Sequence, residues 1–92
     1  MRYTWDPVKD ALNRRKHGLA LEEGIPALQD LNRDVRIDDR FDYGEERLIT
    51  LGLGKHGLLY VVSSELQGEW TRLISVRRAE DDEIEQYGLG RS

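Results

Sequence analysis

The 92-residue sequence contains no cysteine, which excludes disulfide bonds and thiolate metal sites. Its two histidines offer few nitrogen ligands to a transition metal. No apolar run approaches the roughly 20 residues of a membrane-spanning helix, and no signal-peptide core follows Met1 and Arg2. We therefore expect a cytoplasmic protein, folded as one domain over residues 1–92, that uses no metal and no other cofactor.

The charged side chains are present in number but unevenly distributed. The formal net charge is −4, yet residues 1–18 and 47–79 each contain five basic and two acidic side chains. If these two basic blocks meet in space, an anion-binding surface can form on an acidic protein, because the field near a surface follows local charge. Net charge alone would have argued against a nucleic-acid substrate.

Residues 6–18 predict one short helix. Asp6 can cap the first amides, Pro7 suits the first helical position, and Gly18 suits a left-handed residue after the last turn. An apolar stripe that we expect to pack on the domain consists of Val8, Ala11 and Leu12. The last turn carries Arg14, Arg15, Lys16 and His17. These groups either merely complement the helix dipole or form half of an anion site.

The apolar pattern predicts a two-layer α+β domain with the element order β-α-α-β-β-β-β-α. A strand-like start at residues 2–5 precedes the first helix, and Pro26 should make a second helix at 21–31 start near Gly24 or kink there. A period of two then predicts four strands, around 35–37, 49–53, 58–62 and 73–76. Short turns at 54–57 and 67–69 favour a four-stranded antiparallel meander packed by helices, and 80–88 reads as a final helix.

Arginines on the strand at 72–78 are the second candidate for chemistry. Strict alternation places Arg72 and Arg77 on opposite faces, with Arg77 on the more polar face. Arg77 is therefore the first candidate for a phosphate clamp, and the alternative is an ion pair with Glu45, Glu46 or acids of the last helix. Arg47 is expected beside Arg77, where a carboxylate would either orient the arginines or accept a proton.

Three other features carry weaker signals. The segment 52–55 has a glycine-rich turn followed by a strand, which favours a hairpin over a phosphate-binding loop. The acids of segment 38–42 lack calcium-loop spacing, which favours a solvated loop. The aromatic residues that either stack nucleobases or fill the core are Trp5, Tyr60, Trp70 and Tyr87.

Short motifs in a fixed order give the chain a family resemblance over about residues 3–88. They are Trp5-Asp6-Pro7, Lys16-His17-Gly18, Glu22-Glu23, Gly44-Glu45-Glu46-Arg47, the run from Arg72 to Arg77, and Tyr87. In this order they resemble the BrnT family, toxins of bacterial type II toxin–antitoxin modules. The resemblance implies a RelE-like fold and a metal-independent ribonuclease that cleaves RNA, inhibits translation and arrests growth. It also implies neutralisation by a BrnA-type ribbon-helix-helix antitoxin, with the complex binding operator DNA and the toxin alone a monomer.

By position, the resemblance implies catalytic roles for Lys16, His17, Glu45, Arg47, Arg72 and Arg77. Metal-free RNA cleavage needs a base for the ribose 2′-hydroxyl, cations for the phosphate and an acid for the leaving oxygen. His17 can serve as base or acid, and Glu45 is the alternative base. Two rival readings remain: a non-enzymatic RNA- or protein-binding module that uses the same basic surface, and direct DNA reading, which lacks a helix-turn-helix or zinc pattern.

Overall fold

The computed structural model describes residues 1–40 and 42–89. The strands are β1 (Arg2–Thr4), β2 (Asp34–Ile37), β3 (Leu48–Gly54), β4 (Gly57–Glu65) and β5 (Trp70–Arg78). The helices are α1 (Pro7–His17), α2 (Ile25–Leu28) and α3 (Asp81–Leu89), with 3₁₀ segments at Leu21–Gly24 and Gln67–Glu69. None of the helices in these two ranges has the length and apolar character needed to cross a bilayer.

The strands form one mixed sheet in the order β1-β5-β4-β3-β2. Strands β2 to β5 are an antiparallel meander, and β3 and β4 join through a hairpin between Gly54 and Gly57. Strand β1 adds a fifth strand, parallel to β5. The predicted α+β class, element order and meander are confirmed, and the parallel edge strand is an addition that local pattern does not encode.

A β-bulge in β5 changes which way its side chains point. Val62 pairs with Ser75 while the next residue, Ser63, pairs with Leu73, so Ile74 is the extra residue. The alternation shifts there by one position. Arg72 consequently pairs with Ser64 and Arg77 with Tyr60, two β4 positions on one face. The prediction that Arg72 and Arg77 face opposite ways is wrong.

The core lies between the opposite face of the sheet and the segment 19–28. Its buried residues are Leu19, Leu21, Ala27, Leu59, Val61, Leu73 and Val76. A side chain at Gly52 would meet the backbone of Ala27, so α2 rests directly on β3. As predicted, the helix starts after Gly24, but it ends at Leu28 and leaves Leu31 exposed. One α-helical turn is enough to cover this part of the sheet.

Helix α1 has the predicted caps but not the predicted buried face. Asp6 accepts from the Val8 amide, and Gly18 is left-handed with its N–H donated to the Arg14 carbonyl. The stripe expected to pack is exposed instead, with Val8 and Leu12 66% and 54% accessible. The residue that α1 buries is Asn13.

Asn13 is buried because α1 runs beside an unpaired section of the β5 edge. Strand β1 pairs with β5 only as far as Arg72, so the backbone of Val76 needs other partners. The Asn13 side chain accepts from the Val76 N–H at 3.1 Å and donates to the Val76 and Leu19 carbonyls at 2.9 and 2.8 Å. A leucine in this place could satisfy none of these groups.

Helix α3 lies near the predicted position and covers the face of the sheet that carries Arg77. The Tyr87 hydroxyl donates to Asp30 at 2.6 Å, and Gln86 donates to Asp34 at 2.7 Å. Asp34 lies on β2 and Asp30 lies just before it, so both contacts hold α3 near the β2 edge of the sheet. Glu83 on its first turns reaches back to Arg77.

Candidate functional site

An open groove runs between α1 and β5. Its larger part, about 520 Å³, is lined by Lys9, Leu12, Asn13, Arg15, Lys16, His17, Ile74 and Ser75. A smaller part, about 260 Å³, is lined by Asp6, Lys9, Glu45, Arg47, Arg72, Leu73 and Ile74. Lys9 and Ile74 belong to both parts, so we treat them as one surface, the α1–β5 groove. We call the part around Lys16 and His17 the His17 end, and the part around Glu45, Arg47 and Arg72 the Glu45 end. Arg77 does not line the groove, but its charge acts on His17, so we describe it with the His17 end.

The His17 end holds a partly buried imidazole among cations. Partial burial, followed by the charges of Lys16 and Arg77, lowers the pKa of His17 below its usual 6.5. The imidazole is therefore neutral at physiological pH and able to accept a proton. The sequence placed His17 and Lys16 correctly at the helix end, and the bulge at Ile74 brings Arg77 to their side.

Arg77 is engaged in a tight ion pair. Its two terminal nitrogens donate to the two Glu83 carboxylate oxygens at 2.8 and 2.9 Å, and its guanidinium stacks 3.7 Å from the Tyr60 ring centre. The hydrogen bond between the two side chains raises the pKa of Arg77 and lowers that of Glu83. The structure therefore contains the alternative arrangement for Arg77, an ion pair with the last helix. Glu83 occupies both terminal nitrogens of the guanidinium.

The Glu45 end gathers two arginines around one carboxylate. Glu45 accepts from Arg72 and, at 3.1 Å, from the Ser64 hydroxyl, while Arg47 Nη2 lies 3.7 Å away. Partial burial raises the pKa of Glu45, but the Ser64 hydrogen bond and the two arginine charges outweigh it and lower the pKa overall. Glu45 is an ionised carboxylate that orients its neighbours.

The sequence predicted that Arg47 lies beside Arg77. The structure instead places it at the Glu45 end. It precedes Leu48, which pairs with Ser63, whereas Arg77 pairs with Tyr60 further along the sheet. Its guanidinium lies 4.0 Å from the Tyr43 ring centre, and its buried Nε–H has no hydrogen-bond partner in the described part of the chain. This end keeps an unused donor.

The loop that carries Glu45 is anchored by Asp38. This side chain is fully buried and accepts from Arg40 at 2.8 and 2.9 Å and from the Tyr43 hydroxyl at 3.0 Å. The Arg40 hydrogen bonds lower the pKa of Asp38 to about 2 despite burial. The expectation of a solvated acidic loop is therefore wrong at Asp38, and Phe41 of that segment lies outside the described residues.

Several supporting residues were not identifiable from sequence pattern. Ser64 and Asn13 act through contacts between elements distant in the chain, for which periodicity has no signal. Tyr60, which the sequence marks only as an aromatic for stacking or for the core, instead supports Arg77. Lys9 is a further residue that the sequence motifs do not single out, and it lines both parts of the groove. Within residues 1–40 and 42–89, no three His, Asp or Glu side chains converge in a metal-binding arrangement.

The groove can therefore separate two chemical tasks. At one end a neutral imidazole is poised to accept a proton, and at the other two arginines around one carboxylate leave positive charge for an anion. Lys9 lines the space between and Lys16 lines the His17 end, and neither forms an ion pair with another described residue. A phosphodiester that lies along the groove would meet cations at each step.

Comparison with known proteins finds similarity to a protein family and to a solved structure. The model of a family described as the ribonuclease toxin BrnT of type II toxin–antitoxin systems matches residues 5–83. No curated protein matches the sequence. Among solved structures, the Brucella abortus ribonuclease toxin BrnT is similar, with 23% identity, a TM-score of 0.59, and coverage of 88% of this chain and 99% of that one. The structural likeness supports the fold.

Proposed function

The chain belongs to the BrnT family of ribonuclease toxins of type II toxin–antitoxin systems, and from that premise we propose that it is a metal-independent endoribonuclease acting in the α1–β5 groove. Cleavage of cellular RNA would inhibit translation and arrest growth. The observation that carries the proposal is the neutral His17 imidazole set among cations in an open groove. This is the arrangement that base-promoted attack on a phosphodiester requires.

The proposed reaction is an internal transesterification. His17 accepts the proton of a ribose 2′-hydroxyl, and the 2′-oxygen attacks the adjacent phosphorus. The bond from phosphorus to the 5′-oxygen breaks, and the Lys16 ammonium group donates a proton to that oxygen. The products are a 2′,3′-cyclic phosphate and a 5′-hydroxyl. Proton transfer then restores His17 and Lys16 through water.

The arginines would supply positive potential for the phosphate. Arg72 and Arg47, oriented by Glu45, hold the phosphate chain of the substrate through their positive charge. Arg77 acts mainly through its charge, since Glu83 occupies its fork. We assign Glu45 a positioning role because its oxygens already accept from Arg72 and Ser64.

Membership of a type II family implies an antitoxin partner. We propose that this antitoxin is a BrnA-type protein with a ribbon-helix-helix domain, that it neutralises the monomeric toxin by covering the cationic groove, and that the resulting complex binds operator DNA. The exposed Leu12 beside Lys9 and Lys16 supports this, since a protein can bury apolar area that RNA leaves in contact with water.

The test is cleavage of single-stranded RNA by the purified chain in excess EDTA. We expect products with 5′-hydroxyl and cyclic phosphate ends, and a loss of about 10²- to 10⁴-fold in rate for His17→Ala. His56→Ala is the matched control, because the second histidine lies in the β3–β4 hairpin away from the groove. Salt-dependent binding of intact RNA without products would instead establish the rival binding module.

A further inference from the structure

One exposed aromatic residue has no role in the site described so far. Trp70 is the first residue of β5 and is 37% accessible. By contrast, Trp5 packs on the core, the Tyr87 hydroxyl donates to Asp30, and Tyr60 stacks on Arg77. The Arg2 guanidinium lies over the Trp70 ring, 5.6 Å from its centre, and Arg2 pairs with Trp70 across β1 and β5. The result is a flat aromatic surface backed by a cation.

Trp70 lies on the line of the α1–β5 groove. Trp70 and Arg72 are two residues apart on a strand, so they share a face and lie about 7 Å apart. The bulge at Ile74 keeps Ser75 and Arg77 on that face as well. Along β5, Trp70 is therefore followed by Arg72 of the Glu45 end. The His17 end lies further along the strand, roughly 20 Å from Trp70.

We propose that Trp70, backed by Arg2, is a stacking platform for a nucleobase of single-stranded RNA outside the cleaved linkage. The inference rests on the proposed function and adds a second, remote contact to the substrate. A purine or pyrimidine stacks on an indole face whatever its identity, so the platform binds RNA without reading sequence. Arg72, one step along the strand, holds a neighbouring phosphate through charge-assisted hydrogen bonds.

The position of the platform makes its contribution dependent on substrate length. A dinucleoside monophosphate that occupies the His17 end cannot extend to Trp70. A longer strand bound along the groove reaches both. Loss of the platform therefore weakens binding of long substrates and leaves the chemical step on the short one unchanged.

The kinetic test compares Trp70→Leu, Trp70→Phe and Leu66→Ala. Leu66 is the matched control because it lines the same surface depression as Trp70, has the same 37% accessibility and carries no aromatic ring. With an oligoribonucleotide of about ten residues, we expect Trp70→Leu to raise KM roughly 5- to 100-fold at constant kcat, with Phe retaining most of the affinity. Equal effects of Trp70→Leu on the long and short substrates, or no effect on either, would overturn the proposal.

A binding test separates failure of this proposal from failure of the proposed function. The chain has two tryptophans, so Trp5→Phe leaves Trp70 as the only indole, and Trp70→Leu serves as the blank. A 2′-O-methyl oligonucleotide of about ten residues, which cannot be cut through its 2′-oxygen, should quench Trp70 fluorescence saturably. Quenching by a parent that cuts no RNA would sustain the platform and refute the ribonuclease. Absence of quenching in a protein that does cut RNA would refute the platform and leave the ribonuclease standing.

Discussion

The two ends of the α1–β5 groove each set an arginine of β5 against a carboxylate, but they do it differently. At the His17 end both terminal nitrogens of Arg77 donate to Glu83, so the guanidinium acts on its surroundings through its charge and not through two-point hydrogen bonding to a ligand. At the Glu45 end one carboxylate is shared between Arg72 and Arg47, which leaves net positive charge. Similar ion pairs can thus serve different tasks: one tunes a titratable imidazole, and the other holds an anion.

The largest fall in cleavage rate is expected when the positive charge of Arg77 is removed. Arg77→Ala removes a positive charge that lowers the pKa of His17, which favours the protonated imidazole and reduces the positive potential at this end of the groove. We expect cleavage to fall about 10²- to 10³-fold near pH 6, measured as initial rates on RNA with folding checked by circular dichroism. Arg78→Ala is the control, since this neighbouring arginine faces the other way. Undiminished cleavage by folded Arg77→Ala would remove Arg77 from the site.

A second variant should detach the His17 end while leaving the Glu45 end in place. Asn13→Ala strands the backbone groups of Val76 and one carbonyl of Leu19 at the contact between α1 and β5. We expect the free energy of unfolding in urea to fall by about 2–4 kcal/mol. Asn32→Ala, in an exposed turn, should change it by less than about 0.5 kcal/mol. Equal stability of the two variants would show that Asn13 does not hold the helix to the strand.

Neutralising the carboxylate of the Glu45 end should have a smaller effect. Glu45→Gln keeps an acceptor for Arg72 and Ser64, so we expect less than about a tenfold fall in kcat/KM, mostly through KM. Glu46→Gln, a change in the exposed neighbour, is the control. A fall in kcat of about 10²-fold or more would instead identify Glu45 as the general base.

The smallest effect is a shift of the pH profile. Because imidazolium cannot accept a proton, kcat/KM should be lost as pH falls through the pKa of His17, which lies below 6.5. Glu83→Gln removes the nearer of the two carboxylates that offset Arg77, the other being Glu80 at 3.6 Å, so the inflection should move to still lower pH. Rates measured from about pH 4.5 to 8 give both inflections. An inflection above 6.5, or one that Glu83→Gln raises, contradicts the electrostatic account of this end.

Local signals in the sequence predicted most of the fold. Asp6, Pro7 and Gly18 determine the ends of α1 through contacts within a few residues, and the period-two segments identify the meander. The exceptions depend on partners far away in the chain. Asn13 is buried because β1 is too short to cover the β5 edge, and Asp38 is buried because Arg40 and Tyr43 fold over it. Neither fact is visible in periodicity.

The candidate site was predicted less completely than the fold. Five of the six candidate residues line the groove, and Arg77 lies outside its lining with its charge acting on His17, but the sequence could not show which of them share an end. One inserted residue, Ile74, decides the direction of Arg77, and a bulge has no reliable signature in an apolar strand. Their catalytic roles remain a prediction for the variants above.

The Asn13 contact also has a consequence for solubility. An open edge on a long apolar strand invites pairing with another chain and aggregation. Here the sheet ends in strands of only three and four residues, and the part of β5 that β1 does not reach is closed by an amide on a helix. A side chain thereby takes the place of a strand at Val76, and helix α1 keeps another chain from pairing with this section of β5.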